Sequence, residues 1–464
     1  MSVKLFDSQR HEMVEFTPLR PGHVSLYVCG PTVQSSPHVG HLRSALVYDL
    51  WGRWLSYRGY AVTLIRNVTD IDDKILGACV GSTEPWWALA ERIENEFHDV
   101  TEALHIRRPT RQPRATGDIP AMLELIMTLI ESEHAYVAED GSGDVYFDVS
   151  SWPEYGELTH QKVEDLQSGS SESGAKLRPE DFALWKGHKA SEPESASWPA
   201  PWGPGRPGWH LECTAMATRY LGSQFDIHGG GMDLRFPHHE NELAQARAAG
   251  HPYANHWLHN ALVTVQGQKM SKSLGNGVLA RDVVAQARPI VVRYALASAH
   301  YRSELDMHEG FLREAGVAFG RIEALLARAE REGITTEGGN IPEGFARAMD
   351  DDLGIPQALA ALHDAVREGN HAADRGNIAD FAGAAQGVRA MLVVLGIDPL
   401  DHSWAGEQGS QEVLESLADN MIALRWKAKS EGDFGLSDAL RDALDQSGID
   451  VKDEPSSSTW SIRG

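Results

Sequence analysis

The chain has 464 residues, of which 42% are hydrophobic and three are cysteine. That length exceeds one ordinary core and predicts two to four domains; an odd, sparse set of cysteines (Cys29, Cys79, Cys213) argues against a disulfide framework and for a reducing compartment. A formal net charge of −24 argues against a nonspecific nucleic-acid binder while leaving room for local basic patches. Met1 to Phe16 holds no apolar run of the signal-peptide kind, and no stretch approaches the ~20 apolar residues of a membrane helix.

In chain order, His23 to Gly30 has Val24, Leu26 and Val28 at period two and reads as a strand. After a loop rich in Gly, Pro and Ser, Leu42 to Arg58 reads as a helix. Leu42, Leu46, Leu50 and Trp54 share one stripe, and Gly59 suits its C-terminal cap. Ala61 to Arg66 reads as a second strand, completing a βαβ unit of a parallel sheet. Ile119 to His134 is a predicted helix within an insertion. Gln167 to Ala200, including the SGSSES run from Ser168 to Ser173, reads as an exposed loop. Strand patterning returns at Gln224 to His228 and Ala261 to Val265. Gly310 to Leu395 is helical in pattern, with Phe311, Ala315, Ile322, Leu325 and Leu326 on one face. Gly396 to Gln411 reads as a linker and Glu412 to Gly464 as a small tail domain.

Four strings bear on chemistry. Pro37-His38-Val39-Gly40-His41 opens a helix, where free N–H groups and the dipole favour phosphate, and its two imidazoles can donate to charge building in a transition state. The plainer reading is two surface histidines near a cap. Lys269-Met270-Ser271-Lys272-Ser273 follows a strand and turn; its lysines and hydroxyls can close over a triphosphate, or form a solvated basic loop. In the third, Cys213 follows Trp209-His210-Leu211-Glu212, and His238 and Glu242, four apart, share a helix face. With the distant Cys29 they form a thiolate-rich set suited to Zn²⁺, gathered from remote strand ends at the carboxyl edge of a sheet. Lone histidines are more often satisfied core residues, so that alternative stays open. The fourth, Asp433 to Arg441, reads as a short helix after a turn.

The first two strings, in this order, resemble the two signatures of class I aminoacyl-tRNA synthetases. The segments Tyr27 to Gln34, Arg66 to Ile75, Gly208 to Ala217 and Phe225 to Gln245 resemble the cysteinyl-tRNA synthetase family, as do the tail helix containing Asp438-Ala439-Leu440-Arg441 and the ending Val451-Lys452-Asp453 with Trp460. The resemblance covers nearly the whole chain. It implies an α/β fold: a Rossmann-type parallel-sheet catalytic domain split by an insertion, then an α-helical bundle and a small C-terminal anticodon-binding domain. On this sequence the parts fall at 1–116 and 202–260 for the catalytic halves and 117–201 for the connective insertion. Residues 261–309 make the stem-contact region, 310–395 the DALR-type bundle, 396–411 the linker and 412–464 the anticodon domain.

The resemblance further implies one Zn²⁺ per subunit on Cys29, Cys213, His238 and Glu242, Mg²⁺ with ATP, and L-cysteine and tRNA-Cys as partners of a cytoplasmic monomer that touches no membrane. It makes His38, His41, Lys269 and Lys272 catalytic; His38, His41, Gly231, Asp233, Val263 and Lys272 bind ATP. Gly30, Thr32, Asn67, Thr69, Trp209 and His228 bind the substrate cysteine. Val39 stands where Ile is commonest, an ordinary apolar swap. From Arg425 onward there are six Lys or Arg against eight Asp or Glu, a weak charge for an RNA-binding tail. Two other functions fit parts of the pattern: a ligase joining cysteine to an amino sugar–inositol, which would have no use for the tail, and a catalytically silent RNA-binding relative, which would be expected to have lost a signature histidine or lysine.

Overall fold

The computed structural model describes residues 2–161, 176–270, 275–405, 407–453 and 458–462. The SGSSES run and Ser271, Lys272 and Ser273 therefore lie outside the described residues. The chain divides into two compact units, 1–398 and 399–464.

The first unit is organised by a four-stranded parallel sheet. Its elements are β1 (His23–Val28), α1 (Val39–Tyr57), β2 (Ala61–Arg66), α2 (Trp209–Leu221), β3 (Gln224–Gly231), α3 (Glu240–Ala248) and β4 (Tyr253–Asn260). The strand order is β4-β3-β1-β2. From β1 the chain crosses over α1 to β2 on one side; β3 docks on the other, with Tyr27 opposite His228 and Val28 opposite Gly229. The order thus reverses between β1 and β3, and the crevice beyond their carboxyl ends is where open α/β sheets bind ligands.

Helix α1 begins three residues earlier than its apolar stripe predicts. The reason is a cap: His38 Nδ1 accepts from Gly40 N at 3.1 Å, and His38 N donates to His41 Nδ1 at 3.2 Å. Leu42, Leu46, Leu50 and Trp54 are buried as the stripe requires.

The insertion contains a helix, Ile119–Glu131, and a four-stranded antiparallel sheet of Ala135–Val137, Val145–Phe147, Phe182–Gly187 and Gly205–Pro207. The expectation of an exposed loop over 167–200 is therefore corrected at 182–187. That strand buries Phe182, Leu184 and Trp185, a short apolar alternation obscured in sequence by its polar, Pro-containing flanks. A strand not predicted at all is β4, whose buried His256, His259 and Asn260 read as polar.

Four helices, Phe311–Arg331, Glu343–Asp350, Ile355–Asp374 and Ile378–Leu395, follow. Ile378–Leu395 has the length and apolar composition to cross a membrane, which departs from the sequence expectation. Its Phe381, Val388, Met391, Leu392 and Leu395 are buried, as in a core helix. Gly396, at φ 70°, ends it; a Cβ there would run into the guanidinium groups of Arg53 and Arg293.

Arg293 ties this end of the bundle to the sheet domain. It is fully buried and donates to Asp49 Oδ2 on α1 at 2.5 Å, to Leu395 O at 2.8 Å and to Leu104 O at 3.0 Å. In the second unit, helices Glu407–Ser430 and Phe434–Gln446 pack with the hairpin Ile449–Asp453/Ser458–Ile462 around Ala418, Ile422, Leu444 and Ile449. Asp433 caps the second helix through Leu436 N at 3.0 Å, matching the predicted turn and helix.

Arg293→Met takes one of two guanidinium partners from the buried Asp49 carboxylate, Arg53 Nε at 2.8 Å being the other, and should lower the unfolding free energy by about 1–3 kcal/mol in urea titrations. Unchanged stability in the variant would show that the pair does not hold these elements together.

Candidate active site and metal centre

At the switch point, the end of β1 delivers Cys29, α2 delivers Cys213, the turn entering α3 delivers His238, and α3 itself delivers Glu242. The ligand atoms of these four buried residues lie within 4.8 Å of one another. Cys29 Sγ is 3.2 Å and His238 Nε2 3.1 Å from Glu242 Oε1. Zn–ligand bonds of about 2.0–2.3 Å in a tetrahedron put ligands roughly 3.3–3.8 Å apart, so the donor set fits that ion in both chemistry and spacing. The helix-face pairing of His238 with Glu242 is as the sequence predicts.

Glu242 has no exposure, and its second oxygen is held by protein. Oε2 lies 2.9 Å from His228 Nε2 and accepts from Tyr253 Oη at 2.7 Å. His238 Nδ1 lies 3.0 Å from His210 Nδ1, and the His238 ring stacks on Trp209 with centroids 4.1 Å apart. Burial opposes ionisation of Cys213, but its hydrogen bond with Cys29 and the nearby His238 bring the thiol down to about 6. Burial, reinforced by Cys213, pushes the Cys29 thiol up. Burial also disfavours charge on His238, yet Glu242 and Cys213 hold it up to about 10. A second group, Cys29, His228, His239 and Glu242, shares two of the ligands. The set with both cysteines is the softer and suits zinc better, and His228, stacked on Trp257 with centroids 4.4 Å apart, then acts from behind Glu242.

Beside the cluster lies a directional hydrogen-bond chain. Gly30 N donates to Asn67 Oδ1 at 2.8 Å, Asn67 Nδ2 donates to Thr69 Oγ1 at 3.4 Å, and Thr69 Oγ1 donates to Glu212 Oε2 at 3.0 Å. A Cβ on Gly30 would overlap the Asn67 carbonyl, so only glycine fits. Thr32 pairs with Thr69 across the strand ends. Burial pushes the Glu212 carboxyl well up, and Cys213 and Asp72 reinforce the shift.

Two of the three glycines ending β3 are required by close neighbours. A Cβ on Gly229 would enter the Tyr48 ring, and one on Gly230 would meet His239. Tyr48 Oη donates to Leu258 O at 2.9 Å and accepts from Gly230 N at 2.5 Å. Gly231 and the exposed Asp233 follow at the rim, where Asp233 acts on the charge of His38.

Two signature segments distant in sequence meet here. Val39 N donates to Val278 O at 2.9 Å and Ala280 N to Pro37 O at 2.8 Å, and the Met270 methyl lies close to Gly40. Both His38 Nδ1 and His41 Nδ1 accept backbone N–H groups, so the hydrogen bonds assign each neutral ring an Nε2–H donor. The rings stack with centroids 3.7 Å apart. Burial, with His38 beside it, lowers His41 to about 3. Lys269 is exposed in a two-residue strand, Val263 is buried in Val263–Val265, and Lys272 lies outside the described residues. Sequence reasoning did not single out Glu212, Tyr48 or Tyr253. Glu212 stood inside a quoted string, one residue before Cys213; the two tyrosines carried no signal.

Residues 15–316 match the family model for the tRNA synthetases class I (C) catalytic domain, and residues 344–399 match the DALR domain. The latter match falls on the bundle, not on the tail helix that carries the Asp-Ala-Leu-Arg string. The chain is 56% identical to a cysteine–tRNA ligase of Clavibacter sepedonicus and 54% identical to one of Leifsonia xyli subsp. xyli, each match covering 100% of both chains. Among solved structures, Mycobacterium tuberculosis methionyl-tRNA synthetase in complex with methionyl-adenylate matches at TM-score 0.58 and 16% identity, over 84% of this chain and 92% of that one. That likeness is one of fold.

The His41 shift has a stability consequence. Its folded value, about 3, lies below the ordinary histidine value of about 6.5. The unfolded chain therefore binds more protons between these values, and the stability contributed by neutral His41 is full above pH 6.5 and lost as pH falls toward 3. His41→Gln, which cannot protonate, should show a shallower decline in melting temperature from pH 6.5 to 4.5. Parallel curves would show that His41 titrates normally.

Proposed function

The chain belongs to the cysteine–tRNA ligase family of class I aminoacyl-tRNA synthetases, and from that premise we infer how its residues divide the reaction. The cysteine carboxylate attacks the α-phosphorus of ATP, pyrophosphate leaves, and the terminal ribose hydroxyl of the tRNA then displaces AMP from the adenylate. Full-length identity to cysteine–tRNA ligases, tail included, leaves an amino sugar acceptor or a silent binder without support.

Cys29, Cys213, His238 and Glu242 hold Zn²⁺, and their convergence at the switch point is the observation that carries this reading. Zinc supplies a soft Lewis acid that prefers a thiolate to a hydroxyl, where an ordinary pocket separates such groups by only about 1–3 kcal/mol. His228 and Tyr253 orient Glu242 from behind. Trp209 walls the cysteine pocket, and Gly30, Thr32, Asn67 and Thr69 line it. His38 and His41, each offering an Nε2–H, donate to the phosphates of ATP, whose Mg²⁺ enters with the nucleotide. Lys269 and Lys272 add positive charge there. Gly231 and Val263 border the adenosine, and Asp233 takes its ribose hydroxyls.

The remaining assignments follow the family. Residues 117–201 form the connective insertion, 261–309 contact the tRNA stem, and 412–464 read the anticodon. The ligase acts as a cytoplasmic monomer.

Cysteine-dependent ATP–pyrophosphate exchange followed by transfer to tRNA tests the reading. Exchange with transfer to an amino sugar–inositol and none to tRNA would overturn it. Cys213→Ser should lose bound zinc and cysteine activation together; a fully active, zinc-free variant would refute the metal site.

A further inference from the structure

We propose that Glu212, with Thr69, forms the subsite for the primary ammonium of the amino acid substrate, an assignment that rests on the cysteine-activating reading above. The hydrogen-bond chain from Gly30 to Glu212 fixes the polarity of every group along it. Thr69 spends its only hydrogen on Glu212 Oε2 and receives one from Asn67, which leaves its oxygen a lone pair and no donor. Glu212 Oε1 is buried and has no hydrogen-bond partner among the described residues. A buried carboxyl oxygen without a partner is costly, and a bound cationic donor removes that cost. Asp72 and Asp70 add negative charge around the same point.

The subsite is placed for a short amino thiol. The chain starts one residue after the candidate ligand Cys29 and ends one residue before the candidate ligand Cys213, so the acceptors flank the metal centre. A molecule whose thiol reaches that centre and whose ammonium reaches Glu212 leaves its third substituent, the carboxylate, directed elsewhere. Glu212 thereby separates thiols that carry an ammonium from thiols that do not.

The test compares Glu212→Gln, which keeps shape and an acceptor for Thr69, with the unaltered zinc-loaded protein. Calorimetry measures binding of cysteamine, a thiol with an ammonium, and of 3-mercaptopropionate, a thiol with a carboxylate and no ammonium. Metal analysis checks the zinc, and pyrophosphate exchange supplies the KM values for cysteine and ATP. Glu212→Gln should keep its zinc and its KM for ATP, weaken cysteamine and raise the KM for cysteine by about tenfold or more, and change 3-mercaptopropionate by less than about twofold. Equal loss of both thiols, or loss of neither, overturns the assignment. Should Glu212→Gln fail to fold, Thr69→Val must show the same cysteamine-selective loss, and an unselective effect there overturns it equally. An unaltered protein that shows no cysteine-dependent exchange refutes the underlying ligase reading instead.

Discussion

A carboxylate wholly removed from water, Glu242, sits where β3, α2, α3 and β4 converge beyond the end of β1. Burying such a charge unpaired costs several kcal/mol, so every element around it is constrained to supply a partner. His228 from β3 and Tyr253 from β4 take Oε2; Cys29 and His238 face Oε1. The division of labour is geometric. One oxygen is spent on the protein, which locks the rotamer, and the other stands with two sulfurs and an imidazole in a donor set that fits a metal ion. Trp257 behind His228 and Trp209 over His238 keep the rings from turning. A site of this kind cannot be loosened at one ligand without leaving a charge stranded at another.

The same economy governs the nucleotide side. The histidines of the first signature are capping groups before they are anything else: their Nδ1 atoms are used by the backbone at the start of α1, which leaves the Nε2–H groups free. Local helix geometry thus sets the tautomer of both rings. The backbone bonds from Val39 and Ala280 hold the helix start against the segment that follows the second signature, so the two cannot drift apart independently. Farther out, Arg293 uses its fork to bind Asp49 on α1 and the last carbonyl of the bundle, tying the orientation of α1 to the helices that follow.

Much was legible in the sequence because it rests on local rules. Period-two apolar residues marked β1, a four-residue stripe marked α1, and His238 with Glu242 four apart had to share a helix face. The family strings supplied the chemistry. What escaped was whatever depends on a distant partner. Strand β4 looks too polar for a buried strand until His256 is found on Asp7 at 3.1 Å, His259 on His239 at 2.8 Å and Asn260 on Ser44 at 2.9 Å. The strand at 182–187 is short and hidden among Ser and Pro. Tyr48 gave no sign that it would bridge Gly230 and Leu258.

The sequence by itself therefore determined the βαβ start and the helical bundle, since each follows from periodicity. Only the tertiary structure decided that Cys29 and Cys213, far apart in the chain, stand at one carboxylate, because that depends on β3 pairing with β1 across a reversal of strand order. It alone also decided that Glu212 ends a chain of hydrogen bonds with one oxygen lacking a partner among the described residues. Neither fact has a periodicity to announce it; both arise from which backbone lies beside which, and that is settled by packing and hydrogen-bond satisfaction across the whole fold.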